Sequence, residues 1–240
     1  MPYVLSPLLT PRMSGMWFEG LPFEKKEIYS IQPGKMPPVN YDSHVLKPHS
    51  LPHAEGALHV LSDGKSIDQY FADPKYFFGS CLVIRLSGNS YKKIDEKNNL
   101  YYWEVGEEEI RKKIEGLLQR SPGPCEKVLL TTDFYPVNAD GFHDPNYVLT
   151  LSPEAAQYLV QLPGFNLYGT SWKSSDHRPG SPERPIHKIL LSKAIIFELL
   201  DLRHVPEGRY FFSGFPLRLE GASESAVCPV LYEKHDIRFS

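Results

Sequence analysis

The stretch His49-Ser-Leu-Pro-His53-Ala-Glu55-Gly-Ala-Leu-His59 gathers three of the chain's nine histidines and one carboxylate within eleven residues. Imidazole nitrogen and carboxylate oxygen are together the ligands of zinc, manganese and related divalent metals. Fully extended, His49 and Glu55 would lie about 20 Å apart, at roughly 3.3 Å per residue. Ligand atoms sit about 2 Å from a shared ion, so the segment has to bend. Pro52 and Gly56 offer places to do so, and Pro52 argues against a long regular helix. His49 and His53, four residues apart, can also share one face of a helical turn. Histidines at such spacings occur in ordinary loops too, solvated or bonded to backbone, so the spacing alone leaves both readings open.

The elements that must position these groups are short and mixed. The chain has 240 residues, 41% of them hydrophobic and 23% charged, with 22 Pro and 17 Gly. That excludes a disordered chain and a coiled coil and points to many short elements joined by anchored loops. Its net charge of −3 gives no support to a nucleic-acid or acidic-membrane partner. No apolar run approaches the roughly 20 residues of a membrane span. The N-terminus lacks the basic region of a signal peptide. Three scattered cysteines, Cys81, Cys125 and Cys228, make no disulfide framework, so a reducing cytoplasm is expected.

Strands are expected at Tyr3–Leu5, His44–Leu46, Cys81–Leu86, Val128–Thr131, Phe165–Tyr168, Ala194–Glu198, Arg209–Phe212 and Val227–Tyr232. A short helix is expected at Ser66–Phe71. An amphipathic helix is expected at Val105–Leu118, where acids precede bases and Ile110, Ile114, Leu117 and Leu118 recur at helical spacing. A third is expected at Ser152–Leu159, capped by Ser152 with Pro153 in its first position. The fold class is α/β: a single domain, 1–240, of mixed β-sheet with flanking helices.

The motif series resembles the cyclase / kynurenine formamidase family of metal-dependent hydrolases. The family signature H-x-G-T-H-x-D-x-P-x-H is matched by His49, His53, Glu55 and His59. Tyr3-Val-Leu-Ser-Pro7 resembles the family's opening strand, and Trp17 with Gly20-Leu-Pro-Phe23 its W-P-G-D-x-P-F stretch. Asp63-Gly-Lys-Ser-Ile-Asp68, Leu129–Thr132 and Leu151-Ser-Pro-Glu-Ala-Ala156 resemble further motifs in the same order. So do His187 through Glu198, Val205-Pro-Glu-Gly-Arg-Tyr210 and Phe215-Pro-Leu-Arg-Leu219. The resemblance spans residues 3 to 232.

It implies a cyclase-family (swivelling β/β/α-like) fold and a metal site of His49, His53 and Glu55 completed by Glu198. Glu198 ends the apolar run Ala-Ile-Ile-Phe-Glu, where a carboxylate is costly to bury without a cation. It further implies one or two divalent ions, zinc or manganese, with His59 as the catalytic acid/base and Trp17 against the substrate. The implied reaction is hydrolysis of a small-molecule amide by metal-activated water, the substrate being a formamide, an arylformamide or a cyclic amide. The implied assembly is a homodimer or homotetramer, with the Pro-rich residues 1–40 as an arm at the interface.

Three departures stand out. Ile186 occupies the position of a family histidine that ligates the second metal, so either that site is lost or the chain shifts by one residue and His187 substitutes; His177 is a remote backup. Glu55 replaces an aspartate, one methylene shorter. Leu51-Pro52 replaces Gly-Thr. Tyr101 and Tyr102 are expected to line an aromatic slot with Trp17. A descendant that keeps the fold as a non-catalytic binding or assembly module is the competing reading. No G-x-G-x-x-G, P-loop or G-x-S-x-G sequence supports a nucleotide enzyme or a serine hydrolase.

Overall fold

The computed structural model describes residues 1–17, 19–95, 99–139, 141–176 and 182–236; His177 lies outside them. The chain opens with β1 (Tyr3–Val4), which pairs near the C-terminus, and then an exposed hairpin of β2 (Phe23–Tyr29) and β3 (Tyr41–Leu46). Residues 1–40 are therefore divided. Leu5, Met13 and Met16 are buried against the body, while almost every residue of the hairpin is exposed. The histidine-rich segment that follows consists of a 3₁₀ turn (Pro48–Ser50), the three-residue strand β4 (His53–Glu55) and a second 3₁₀ turn (Ala57–His59). The short helix α1 (Ile67–Tyr70) starts at Ser66, whose N–H donates to Gln69 Oε1 at 3.0 Å.

The centre of the molecule is built by repeated strand–helix–strand steps. β5 (Phe78–Leu86) is followed by β6 (Lys92–Asp95), β7 (Leu100–Val105) and helix α2 (Glu107–Arg120), which lead to β8 (Lys127–Thr132). Then come β9 (Tyr147–Leu151), α3 (Pro153–Gln161), β10 (Leu167–Thr170), α4 (Pro185–Leu191) and β11 (Ile195–Glu198). Strands β5, β8, β10 and β11 pair in parallel, each step crossing over through one of the three helices. The helices form for local reasons. Glu107, Glu108 and Glu109 occupy the first turn of α2 and Arg120 the last, matching the helix dipole. Ser152 Oγ caps α3 by accepting the Ala155 N–H at 3.1 Å, and Pro153 follows it.

The chain ends with β12 (Gly208–Ser213), β13 (Glu224–Ala226) and β14 (Val230–Tyr232). The main sheet has nine strands in the order β1-β14-β12-β5-β8-β10-β11-β4-β13, antiparallel outside the parallel centre. Both of its faces are covered. Leu82, Ile84, Val128, Leu130, Tyr168 and Ile196 pack under the helices with Ile110, Ile114, Leu159 and Leu190. The alternate residues Cys81, Val83, Leu129, Leu167, Ile195 and Phe197 form a second core with Ile67, Phe77, Phe212 and Leu231.

A smaller sheet, β6-β7-β9, carries the tyrosines expected in an aromatic slot. Tyr101 instead stacks on Tyr147 at 4.6 Å across β7 and β9, and Tyr102 faces Glu104 on its own strand. Neither lines the cavity described below. Strand pairing fixes where these rings go, and it places them on a different sheet from the histidines. No helix among the described residues is long and apolar enough to cross a membrane.

Candidate metal centre

Strand register assembles the centre at the β11–β4–β13 end of the main sheet. His53 and Glu55 are two residues apart on β4 and so share a face. Glu198 of β11 lies directly opposite His53, and Glu224 of β13 directly opposite Glu55. The two 3₁₀ turns flanking β4 bring in His49 and His59, and the start of α4 brings in His187. Gly64 holds the His59 turn in place. A Cβ there would lie 2.3 Å from the carbonyl carbon of Ala57 and 2.6 Å from Leu58 N. Only glycine lets this loop approach closely enough for Lys65 O to accept the Leu58 N–H at 3.0 Å.

Every imidazole has one nitrogen turned outward and one turned toward Glu55. His53 Nδ1 lies 2.8 Å from Leu51 O, a group that can only accept, so Nδ1 carries the hydrogen and Nε2 points inward. His187 Nδ1 lies 2.9 Å from Asp176 Oδ2, which also accepts the His187 backbone N–H at 2.8 Å. Glu224 backs the other two rings, Oε1 facing His49 Nε2 at 3.6 Å and Oε2 facing His59 Nδ1 at 3.5 Å. These are ion-pair separations rather than tight hydrogen bonds. A carboxylate or carbonyl behind the far nitrogen is the arrangement that orients metal-ligating histidines.

The inward nitrogens converge on one side chain. His53 Nε2, His59 Nε2 and His49 Nδ1 stand 3.2, 3.4 and 3.7 Å from Glu55 Oε1. His187 Nε2 stands 3.1 Å from Glu55 Oε2 and 3.5 Å from Glu198 Oε1. Glu198 Oε1 is held by the Ser175 backbone N–H at 2.5 Å and its hydroxyl at 2.7 Å. Leu199, next in the chain, has φ of 58°, an uncommon left-handed conformation for leucine that turns the backbone just beyond this carboxylate.

Such a knot needs positive charge between its donors, supplied by protons on the rings or by a divalent ion. The electrostatics agree. Burial opposes charge on all three groups, yet His53 is raised by Glu55 and Glu198, and His187 is raised well above the ordinary histidine value by Glu55, Asp176 and Glu198. Glu55 is held well below the carboxylate range by His187 and His53 despite its burial. His49 is lowered, first by burial and then by His53. Glu224 falls to about 2, chiefly through His59.

The residues fit a divalent ion. Donors about 2.0–2.1 Å from a tetrahedral ion stand roughly 3.3–3.4 Å from one another, and the contacts to Glu55 are 3.1–3.7 Å. Among the described residues Glu55 Oε2 is buried with no well-formed hydrogen bond, although His187 Nε2 lies 3.1 Å from it. Among the described residues, two sets of three donors lie mutually within 4.8 Å, His49–Glu55–His59 and His53–Glu55–Glu198, and Glu55 belongs to both. His59 thus stands among the donors beside His49, and His53 beside Glu198.

The sequence-derived residues His49, His53, Glu55, His59, His187 and Glu198 all meet here, and Trp17 lines the cavity of about 190 Å³ above them. Ile186 is turned into the helix-side core, and the imidazole at the site comes from the next residue. Sequence reasoning missed Glu224 and Asp176. Their only sequence signal is an acid beside a short apolar run or a serine pair, which many loops share.

Comparison with known proteins agrees with this geometry. No family model matches the chain. A kynurenine formamidase from Delftia acidovorans is 29% identical over 195 residues, 81% of this chain and 80% of that protein. Isatin hydrolase A from Labrenzia aggregata superposes with a TM-score of 0.73 at 19% identity, over 97% of this chain and 93% of that one. A potential metal-dependent hydrolase with cyclase activity superposes at 0.68 and 20% identity, over 100% and 99%. The chain has the mixed α/β fold of cyclase-type metal-dependent hydrolases, and the resemblance read from its motifs extends to the whole architecture.

Proposed function

We propose that this chain is a metal-dependent hydrolase that cleaves the C–N bond of a small non-peptide amide: a formamide, an arylformamide or a cyclic amide. The observation that carries the reading is the convergence of four oriented imidazoles on the buried Glu55. The named activities of the formamidase and isatin hydrolase relatives support it.

A divalent cation held by this cluster supplies a Lewis acid for the amide carbonyl and makes water nucleophilic near neutral pH. His49, His53, Glu55, His187 and Glu198 are the residues that would hold it, zinc or manganese, as one or two ions per chain. His59 faces the cavity at its Nε2 and is backed at Nδ1 by Glu224. It takes the proton from the attacking water and returns it to the departing nitrogen, work suited to imidazole. Glu224 keeps the ring oriented and stabilises it while it carries that proton. Trp17, tied to the His49 carbonyl through Nε1 at 3.1 Å, supplies an apolar wall for the substrate.

The experiment is elemental analysis of the purified protein together with turnover of N-formylkynurenine and isatin, before and after chelation. Stoichiometric metal, and activity lost on chelation and restored by zinc or manganese, supports the reading. Protein without metal and without turnover in supplemented buffer overturns it. The assembly-module alternative had its ground in Ile186, and the His187 imidazole removes that ground.

A homo-oligomer is part of the same reading. The β2–β3 hairpin exposes Ile28, Tyr29, Tyr41 and Val45, an apolar surface suited to a second copy, and sedimentation showing only monomer would discard it. Three free cysteines support a reducing cytoplasm.

A further inference from the structure

The cavity over the metal centre is also lined by a buried lysine that takes no part in the chemistry above. Lys173 is 7% exposed and carries its Nζ 4.4 Å from the centroid of the Trp17 ring. Among the described residues no carboxylate reaches ion-pair distance of it and no acceptor hydrogen-bonds it. Asp144 acts on it only through space. Burial pulls the ammonium down to about 8, which leaves it charged at neutral pH. Lys127, fully buried, shows what a structural lysine does in this fold: its Nζ donates to Lys75 O and Asn166 Oδ1, both at 2.7 Å.

A buried cation without an acceptor is costly unless an anion arrives to meet it. The face of an indole offsets part of that cost but takes none of the three N–H donors. Beside it Arg184, also lining the cavity, anchors Nη1 on Ser174 Oγ at 3.0 Å. The acids of the cavity do not compensate these cations. Glu55 and Glu198 are engaged with imidazoles and Ser175, and Glu19 accepts from Ser50 Oγ.

We propose that Lys173, assisted by Arg184, is a substrate-anchoring site for a carboxylate, so that the amide cleaved at the metal centre belongs to a molecule bearing a carboxylate group. This rests on the hydrolase reading above. A cavity of about 190 Å³ holds both the reacting amide and its anionic end only if the substrate is small. Lys173 binds and orients through ammonium–carboxylate hydrogen bonds, which are charge-assisted and the stronger kind.

Two arms test it, and they fail separately. The first measures kcat and KM for 2-formamidobenzoate and formanilide, in wild type, Lys173→Met and Lys173→Arg with zinc or manganese supplied. Lys173→Met is expected to lower kcat/KM for the carboxylate about 10–100-fold, mainly through KM, and to leave formanilide within about twofold. Lys173→Arg is expected to recover part of the loss. The second titrates 2-aminobenzoate and aniline calorimetrically into the same proteins. Wild type is expected to bind 2-aminobenzoate at least tenfold more tightly than Lys173→Met does, with aniline unaffected. Equal effects on both compounds, or none, overturn the anchor. A wild type that binds 2-aminobenzoate through Lys173 but hydrolyses neither formamide overturns the hydrolase reading and leaves the anchor standing. Absence of both binding and turnover overturns both.

Discussion

Two clusters of side chains meet at one small cavity and handle charge in opposite ways. In the first, Glu55, Glu198, Glu224 and Asp176 face four imidazoles, and each ring is tied back on one nitrogen and presented on the other. In the second, Lys173 lies on the Trp17 ring and, among the described residues, has no acid at ion-pair distance. Both are expensive to bury, but for different reasons. The first is electron-rich and closes its balance with cations between its donors. The second is electron-poor and closes it with an anion from outside. The contrast with Lys127, whose ammonium is satisfied by Lys75 and Asn166, separates a lysine that holds the fold from one that awaits a ligand.

The change that breaks this contrast most completely is Glu55→Gln, which keeps the shape and removes the charge shared by both donor sets. Metal content is expected to fall below a tenth of wild type and turnover by 10³-fold or more, read by elemental analysis and by kcat on N-formylkynurenine. Retention of metal would show that Glu55 is not the shared donor. His49→Ala and His53→Ala are expected to cost more activity than His59→Ala, since an acid/base group contributes about 10²–10⁴-fold while the donors control the site itself. The reverse order at normal metal content would remove His49 and His53 from the donor set.

Glu224→Gln, which weakens the backing of His49 and His59, is expected to lower kcat or metal affinity about 10–100-fold, as loss of an outer carboxylate does. Steady-state kinetics at saturating metal separates the two. An unchanged enzyme would make Glu224 a bystander.

The smallest effects are on stability, and here the two lysines part. Lys127→Met orphans the Asn166 and Lys75 oxygens and is expected to cost about 1–3 kcal/mol, or a few degrees of Tm. Lys173→Met orphans no hydrogen-bonding group among the described residues and is expected to melt at or above wild type. In wild type both lysines ionise lower folded than unfolded, at about 8. The unfolded chain therefore binds more protons between pH 8 and about 10.4, and the stability of the folded protein rises with pH through that window. Thermal melts across pH 7–10 check the sign, and each Met variant is expected to flatten the slope.

The readable parts of the fold were those with local causes. Helices α2 and α3 announce themselves through charge order, a serine cap and apolar spacing, and β5, β8 and β11 through apolar runs of strand length. Strand β4 escaped because three residues carry no periodicity, and α4 because Arg184, in the left-handed conformation, precedes it without a side-chain cap. Tyr101 and Tyr102 were misplaced because aromatic content says nothing about which sheet a strand joins.

By itself the sequence determined which donors were on offer: three histidines and an acid within eleven residues, too close together to be kept far apart once Pro52 and Gly56 bend the chain. Only tertiary structure decided which nitrogen of each ring faces inward, that His187 rather than Ile186 reaches the centre, and that Glu224 stands opposite Glu55. It decided as well that Lys173 is buried with no acid at ion-pair distance among the described residues. The reason is pairing across long stretches of chain. Strand register brings β4 beside β11 and β13, and nothing within a few residues of Glu198 or Glu224 records who their neighbours will be.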